Sequence, residues 1–462
     1  MACATANARG GGALPAANAR LNALLTARFG ARWGPILAAL LRPAHMVYQG
    51  LRQGMLAVRI FYEARVAVRL AHALDFALRP AAAALARRGY RVVWNVGDGV
   101  GHIVTELDNF LRAGELGELE DRRYVLLRRS SVYSRPVVEL YGRHFHRAIA
   151  STAAYELALP LLIPGSELVH DAGMSRLKWQ FGPEGRSVQP LPQQSYLWQL
   201  SKEEQRDSWR DYYRRRRLTE GRHPLREAGH DATAIERLLG GRPEKLAVVQ
   251  LKRDRMNATA MPTDPRTYVR ALERLRSEGY TLVLGGREPM PEEVRGLFAA
   301  DYAGSRSASF RNDLALFACA DIAICGGSGL AWLADCMGLH YLYVNSWHLA
   351  MQVYSPRCVV VPALVSAQSG KPLTFAEQIE LYENAPDAGA EVFPADTHTP
   401  RSANADEIDV GLRELLDLAQ EWRPRSELQA RYSCLPNRVG VLADAEARVS
   451  EHFLRIHAER FD

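Results

Sequence analysis

The residues best placed to do chemistry are Gly326-Gly-Ser-Gly329. They join a short apolar run, 321–325, to a stretch in which Leu330, Leu333, Ala334 and Met337 recur at helical spacing. Such a turn sets Gly326, Gly327, Ser328 and Gly329 at a helix N-terminus, where backbone N–H groups lack intrahelical acceptors and the positive end of the helix dipole faces out. That is an anion cradle: glycine lets a phosphate approach the backbone closely, and Ser328 can cap the helix or donate to the ligand. Two further loops carry complementary chemistry. Asn95-Val-Gly-Asp-Gly-Val-Gly-His102 also follows a strand and opens a helix; it combines Gly97, Gly99 and Gly101 with one carboxylate, Asp98, and one imidazole, His102. Position 102 is His where a GxGxxG fingerprint needs glycine, so a dinucleotide site is poorly supported. Leu251-Lys-Arg-Asp-Arg-Met-Asn257 ends a strand in the cations Lys252, Arg253 and Arg255. Two glycine turns facing a cationic strand end suit a diphosphate-bearing ligand.

The elements that must position these loops alternate in type. Strand patterns at 91–96 and 124–127 flank a helical pattern at 103–112 with Ile103, Leu107, Phe110 and Leu111 on one face. A second series follows: strand 245–251, helix 265–278, strand 280–285, helix 291–300, strand 321–325, helix 328–337 and strand 341–345. Strands and helices alternating with short loops predict parallel sheets covered by helices. The expected fold is α/β, with two Rossmann-like domains facing a cleft and a helical N-terminal extension. The expected boundaries are 1–88 for the basic extension, 89–172 for the first Rossmann-like domain, 173–243 for a polar connection, 244–420 for the second Rossmann-like domain and 421–462 for a helical tail. The run Arg214-Arg-Arg-Arg217 beside Tyr212 and Tyr213 reads as a solvated helix face on the connection, and Trp332 reads as core or cleft wall.

At 462 residues and 47% apolar content, the chain can bury a full core in each of two or three domains. The six cysteines, Cys3, Cys319, Cys325, Cys336, Cys358 and Cys434, are scattered, with no CxxC pair and no His/Cys set at metal-ligand spacing. A reducing, cytoplasmic compartment fits that pattern. The net charge of +6 is unevenly spread: residues 1–90 hold twelve arginines, no lysine and only Glu63 and Asp75 as acids, a net +10, so the rest of the chain carries −4. No stretch in this segment reaches the roughly 18 apolar residues of a spanning helix. Residues 35–78 read as one or two helices on which Arg52, Arg59, Arg65 and Arg69 fall within an arc of about 140°. The segment therefore has two readings: a helical extension with solvated arginines, or a helix lying on an anionic membrane surface. Its helical patterning continues past the length of a transit peptide. Neither reading calls for nucleic acid.

The order of several short motifs resembles that of bacterial glycosyltransferases from surface-polysaccharide gene clusters, over residues 90–420. The likeness is carried by Gly101-His102 after the first strand, Arg253-Asp254 after the first strand of the second series, Ser328-Gly329 opening a helix that ends at Gly338, Val344-Asn345, and Asn404-Ala-Asp-Glu-Ile408. The Gly-Asp loop is also similar to that of heptosyltransferases, in which such an aspartate serves the acceptor. The resemblance implies a GT-B fold and transfer of a sugar from a nucleotide-activated donor to a glycan or lipid-linked acceptor hydroxyl, with the nucleotide sugar as substrate and no cofactor. The chain departs from the family where aromatic or hydroxyl residues follow Arg-Asp: here stand Arg255, Met256 and Asn257.

Such chemistry needs a base for the hydroxyl proton and positive charge for the departing diphosphate. Asp98 is the first candidate for the base and His102 the second; an imidazole titrates near neutrality, whereas a carboxylate needs its pKa raised by burial. Lys252, Arg253 and the amides of residues 326–329 are the candidates for the diphosphate, Arg being suited to bidentate phosphate contacts. No metal is required by this arrangement. Two other functions suit the same turns: a sugar-nucleotide epimerase of the same fold, or a non-catalytic nucleotide-sugar-binding scaffold at a membrane surface.

Overall fold

The computed structural model describes residues 70, 73–94, 100–162, 166–170, 177–179, 197–199, 202–251, 263–286, 290–300, 302, 305, 307–346, 355–384, 397–437 and 445–462. The chain divides into two compact units, residues 1–75 with 187–197, and residues 76–186 with 198–462. The second unit holds both of the parallel sheets described next.

The first sheet is built on helix α1 (Asp75–Arg87), strand β1 (Tyr90–Trp94), helix α2 (Val100–Glu115), β2 (Arg123–Arg128), α3 (Ser134–Tyr141), β3 (Arg147–Ala150), α4 (Thr152–Leu162) and β4 (Val169–His170). Its four strands are all parallel, in the order β3-β2-β1-β4. The strand order reverses between β1 and β4, so the carboxyl end of β1, from which residues 95–99 lead into α2, is the topological switch point where ligands settle in open α/β sheets.

Three helices follow, α5 (Lys202–Leu218), α6 (Pro224–Gly229) and α7 (Ala232–Leu239). The second sheet then takes β5 (Lys245–Gln250), α8 (Val269–Ser277), β6 (Tyr280–Leu284), α9 (Glu292–Arg295), α10 (Phe310–Cys319), β7 (Ile322–Cys325), α11 (Gly329–Cys336), β8 (His340–Ser346) and β9 (Cys358–Pro362). A two-stranded antiparallel ladder, β10 (Leu364–Ala367) with β11 (His398–Arg401), surrounds α12 (Phe375–Asn384) in sequence and leads to α13 (Ala405–Gln420). The last elements are α14 (Glu427–Ser433), β12 (Arg448–Val449) and α15 (Glu451–Ile456). The six strands run parallel in the order β12-β9-β8-β7-β5-β6. They are near-continuous Val, Ile, Leu and Ala runs because helices cover both faces; β7 and β9 are buried at every position. The order reverses between β5 and β7, so this sheet's switch point lies where Leu251 and residues 326–329 emerge.

Apart from the expected helices at 35–78, which lie almost wholly outside the described residues, the expected strands and helices are present: most ends shift by a residue or two, helix 103–112 extends three residues further at each end, and residues 265–268 of the expected 265–278 helix form a 3-10 turn before α8. One departs further. Helix 291–300 is only one turn, Glu292–Arg295. Beyond Gly296 the sheet captures the backbone: Ala299 N–H donates to Leu282 O and Leu284 N–H to Ala300 O, at 3.0 and 3.3 Å. Residues 421–462 are not only helical, because β12 supplies the edge of the six-stranded sheet. Asn404 opens α13 with a capping box, its side chain accepting from Glu407 N–H while Glu407 reaches back to Asn404 N–H. One apolar core runs through both sheets, with Ile103, Val104 and Leu107 of α2 joined to Leu330, Leu333 and Met337 beside β7 and β8. Among the described residues no helix is long and apolar enough to cross a membrane.

Candidate functional site

The glycine turn forms as its residue types dictate. Ser328 is the N-cap of α11: its Oγ accepts from Leu330 N–H at 3.2 Å and donates to Gln250 Oε1 at 2.7 Å. Gly326 N–H donates to Gln250 O at 3.2 Å. Both links cross the switch point from β7 to β5, so Gln250, which is 4% exposed, fixes the turn against the neighbouring strand. With the Ser328 hydroxyl engaged twice, the groups left to face an anion are backbone amides of the half-buried residues 327–329.

The two glycine-opened helices meet. A Cβ placed on Gly329 would lie 2.6 Å from Gly101 N and 3.0 Å from Val100 Cβ, and one on Gly101 would lie 3.3 Å from Gly329 Cα and 2.9 Å from Trp332 Cδ1. Backbone touches backbone here, which only glycine allows. Seven residues further along each helix, Tyr212 OH of α5 donates to Asp108 Oδ2 at 2.7 Å and lies 3.4 Å from Cys336 Sγ. The pairs Gly101/Gly329 and Asp108/Cys336 show that α2 and α11 run side by side in the same direction for two turns, about 10 Å. Their N-termini therefore open together, and two parallel dipoles present their positive ends at one place. Trp332 stands beside Gly101 and stacks on Trp209, with ring centroids 5.2 Å apart.

The C-terminal end of the same pair is closed by buried charge. Asp108 and Arg112 pair at 2.8 Å, both essentially inaccessible. Arg216 donates to Tyr212 OH at 3.2 Å, to Asp335 Oδ2, and to Asp335 O at 2.7 Å. Asp335 also accepts from Tyr341 OH at 3.1 Å. Burial pushes the Asp335 carboxyl up against the pull of Arg216, and burial, with the nearby Asp108 carboxylate, drives the Cys336 thiol and Tyr212 phenol upward. Two cations and two carboxylates thus link α2, α5 and α11. The solvated-face reading of residues 214–217 is corrected here: Arg216 is 4% exposed, and Arg214 and Arg215 pair with Glu118, each at 2.7 Å. The signal was present in the sequence, since Trp209, Tyr212, Tyr213 and Arg216 are spaced three, four and seven apart, one face of a helix.

At the carboxyl end of β8, level with the turn, Asn345 has φ +60° at a bulge in its pairing with β9. Its amide donates to Thr263 Oγ1 at 2.9 Å and accepts from Ala403 N–H at 2.7 Å. This buried side chain holds two chain segments against the strand beside β7, and bulges of this kind re-aim side chains near functional sites. Sequence reasoning marked Val344-Asn345 only through resemblance; Gln250 and Arg216 carried no motif.

Of the predicted site residues, Gly101 is brought against Gly329, Gly326 and Ser328 bond to Gln250, and Gly327 stands between them in the turn. His102 is exposed on the first turn of α2. Asp98, Gly97, Gly99, Lys252 and Arg253 lie outside the described residues. Among the described residues no group of three or more His, Cys, Asp or Glu could hold a metal ion. The chain matches no family model, no curated protein and no solved structure.

Proposed function

We propose that the protein is a glycosyltransferase that moves a sugar from a nucleotide-activated donor to an acceptor hydroxyl in surface-polysaccharide or glycoconjugate synthesis, on two Rossmann-like halves of GT-B type. The observation that carries this reading is the meeting of Gly101 and Gly329, which aligns two helix N-termini at the switch points of two parallel sheets. A diphosphate leaving group develops negative charge as the glycosidic bond to the donor breaks, and preorganised N–H donors and dipoles stabilise that charge without reorganisation. In sequence Lys252 and Arg253 follow Leu251, the residue after β5. The acceptor hydroxyl gives its proton to Asp98, or to His102 at the head of α2, as its oxygen bonds to the anomeric carbon and the nucleoside diphosphate departs.

The test is sugar release from a panel of labelled nucleotide sugars, with and without acceptor extract. Acceptor-dependent release of one nucleoside diphosphate is expected. Asp98→Asn or His102→Gln is expected to lower turnover by roughly 10²–10⁴-fold for whichever residue is the base. Binding without release points to a sensor, and isomerisation of the sugar without acceptor points to an epimerase.

A further inference from the structure

Helix α1 carries its apolar side chains in an arrangement that a protein core does not explain. Ala82 and Ala86 are buried, which fixes one face against the molecule, while Phe76 is 80% exposed. At about 100° per residue, Phe76, Pro80 and Arg87 fall within about 40° of one another, about 120° around the helix from Ala82 and Ala86, with Arg79 and Arg88 flanking them. Phe76, Arg79, Pro80, Arg87 and Arg88 are all exposed. Leu70 and Leu74 are also exposed, at 40% and 42%. Among the described residues eight large apolar side chains are exposed, and three of them fall within residues 70–76. The exposure is therefore concentrated just where the sequence concentrates positive charge, a net +10 over residues 1–90.

We infer that the outer face of α1 docks on an anionic lipid bilayer, with Phe76 entering the headgroup–acyl boundary and Arg87 and Arg88 meeting lipid phosphates. The two features select the occupant. An arginine-rich, acid-poor segment favours an anionic surface, and exposed Phe and Leu side chains favour one with an apolar layer beneath the charge. Nucleic acid supplies only the first. Docking of this kind holds the catalytic unit at the surface where lipid-linked acceptors reside, but the inference stands on α1 and does not depend on glycosyl transfer.

The full chain is to be co-sedimented with vesicles of phosphatidylcholine alone and with vesicles containing phosphatidylglycerol, at low and high salt. Binding to the phosphatidylglycerol vesicles, weakened by salt, is expected. Phe76→Ser should lower the partition coefficient roughly tenfold or more, the effect of withdrawing one buried phenylalanine. Arg87→Gln with Arg88→Gln should lower it about fivefold for each charge. Because these side chains are exposed, unchanged thermal unfolding of the variants shows that a loss is not misfolding. The inference is overturned by equal partition on neutral and anionic vesicles, by no binding to either, or by Phe76→Ser binding as the parent does. Nucleotide binding, measured on the same samples, remains a separate test of glycosyl transfer.

Discussion

The two ends of the α2/α11 pair solve opposite problems with the same helices. At the N-terminal end Gly101 and Gly329 bring the two backbones into contact, at the carboxyl edges of the two sheets. At the C-terminal end Asp108, Arg112, Arg216 and Asp335 are buried with complementary charge. Parallel neighbouring dipoles repel, and the fold relieves that at one end by placing guanidinium groups where the helices turn negative.

The comparison breaks most severely at its closed end. Arg216→Ala leaves Asp335 buried without its cation, and a loss of about 3–5 kcal/mol in unfolding free energy is expected from urea denaturation. Arg214→Ala, at the half-exposed start of the same run, should cost less than about 1 kcal/mol. Equal losses would mean that the buried network does not hold the helices together.

Acidity probes the same end. Burial, with Arg112, Arg216 and Arg357 nearby, lowers the His223 imidazole to about 4 from an ordinary 6.5. The unfolded chain therefore takes up a proton before the folded one does. The stability that His223 contributes is full above pH 6.5 and is lost as pH falls toward 4, by up to about 3 kcal/mol. His340, likewise lowered to about 4 by burial and by Arg357 and Arg226, acts in the same window and direction. Unfolding free energies measured across pH 7 to 4 should show this slope, reduced in His223→Phe; a flat profile would place the imidazole in water.

At the open end the effects are smaller in stability and larger in binding. Gly329→Ala puts a methyl against Gly101 N and should cost about 2 kcal/mol by forcing the helices apart, while abolishing stabilisation by a bound diphosphate. Gly101→Ala meets Trp332, which stacks on Trp209, at 2.9 Å and the Gly329 backbone only at 3.3 Å, and should cost somewhat less. Ser328→Ala loses a cap worth about 1 kcal/mol yet should leave diphosphate affinity nearly unchanged, because its hydroxyl already serves Leu330 and Gln250. Thermal shifts with and without ligand separate the two effects.

Much of this was legible before any coordinates. Four strands of the second sheet announced themselves as short apolar runs because both faces are buried, although Cys358–Pro362 and Arg448–Val449 were missed; the turn at 326–329 was placed correctly because glycine and serine before a helical pattern leave few alternatives, whereas residues 95–99 of the first glycine loop lie outside the described residues. Partnership was not legible. The spacing of Ile103, Leu107 and Leu111 marked one apolar face of α2, but not that every residue from Ile103 to Ala113 is buried or that α11 lies on the Gly101–Asp108 side, since hydrophobic period carries no address. Arg216 misled because a run of four arginines reads as solvent-facing unless its phase against Trp209, Tyr212 and Tyr213 is followed. The shortened α9 reflects tertiary capture of Ala299 and Ala300 by β6, a contact invisible to local propensity.

The most direct test of the central claim is calorimetric titration of nucleoside diphosphates and their parent nucleosides into the wild-type protein and Gly329→Ala. Binding of one diphosphate series, none by the matching nucleoside, and at least a tenfold weaker affinity in Gly329→Ala, a change of about 1.4 kcal/mol, is the predicted result. A nucleoside that binds as tightly as its diphosphate, or a diphosphate indifferent to the methyl at position 329, would contradict the assignment of the paired helix N-termini as the anion site.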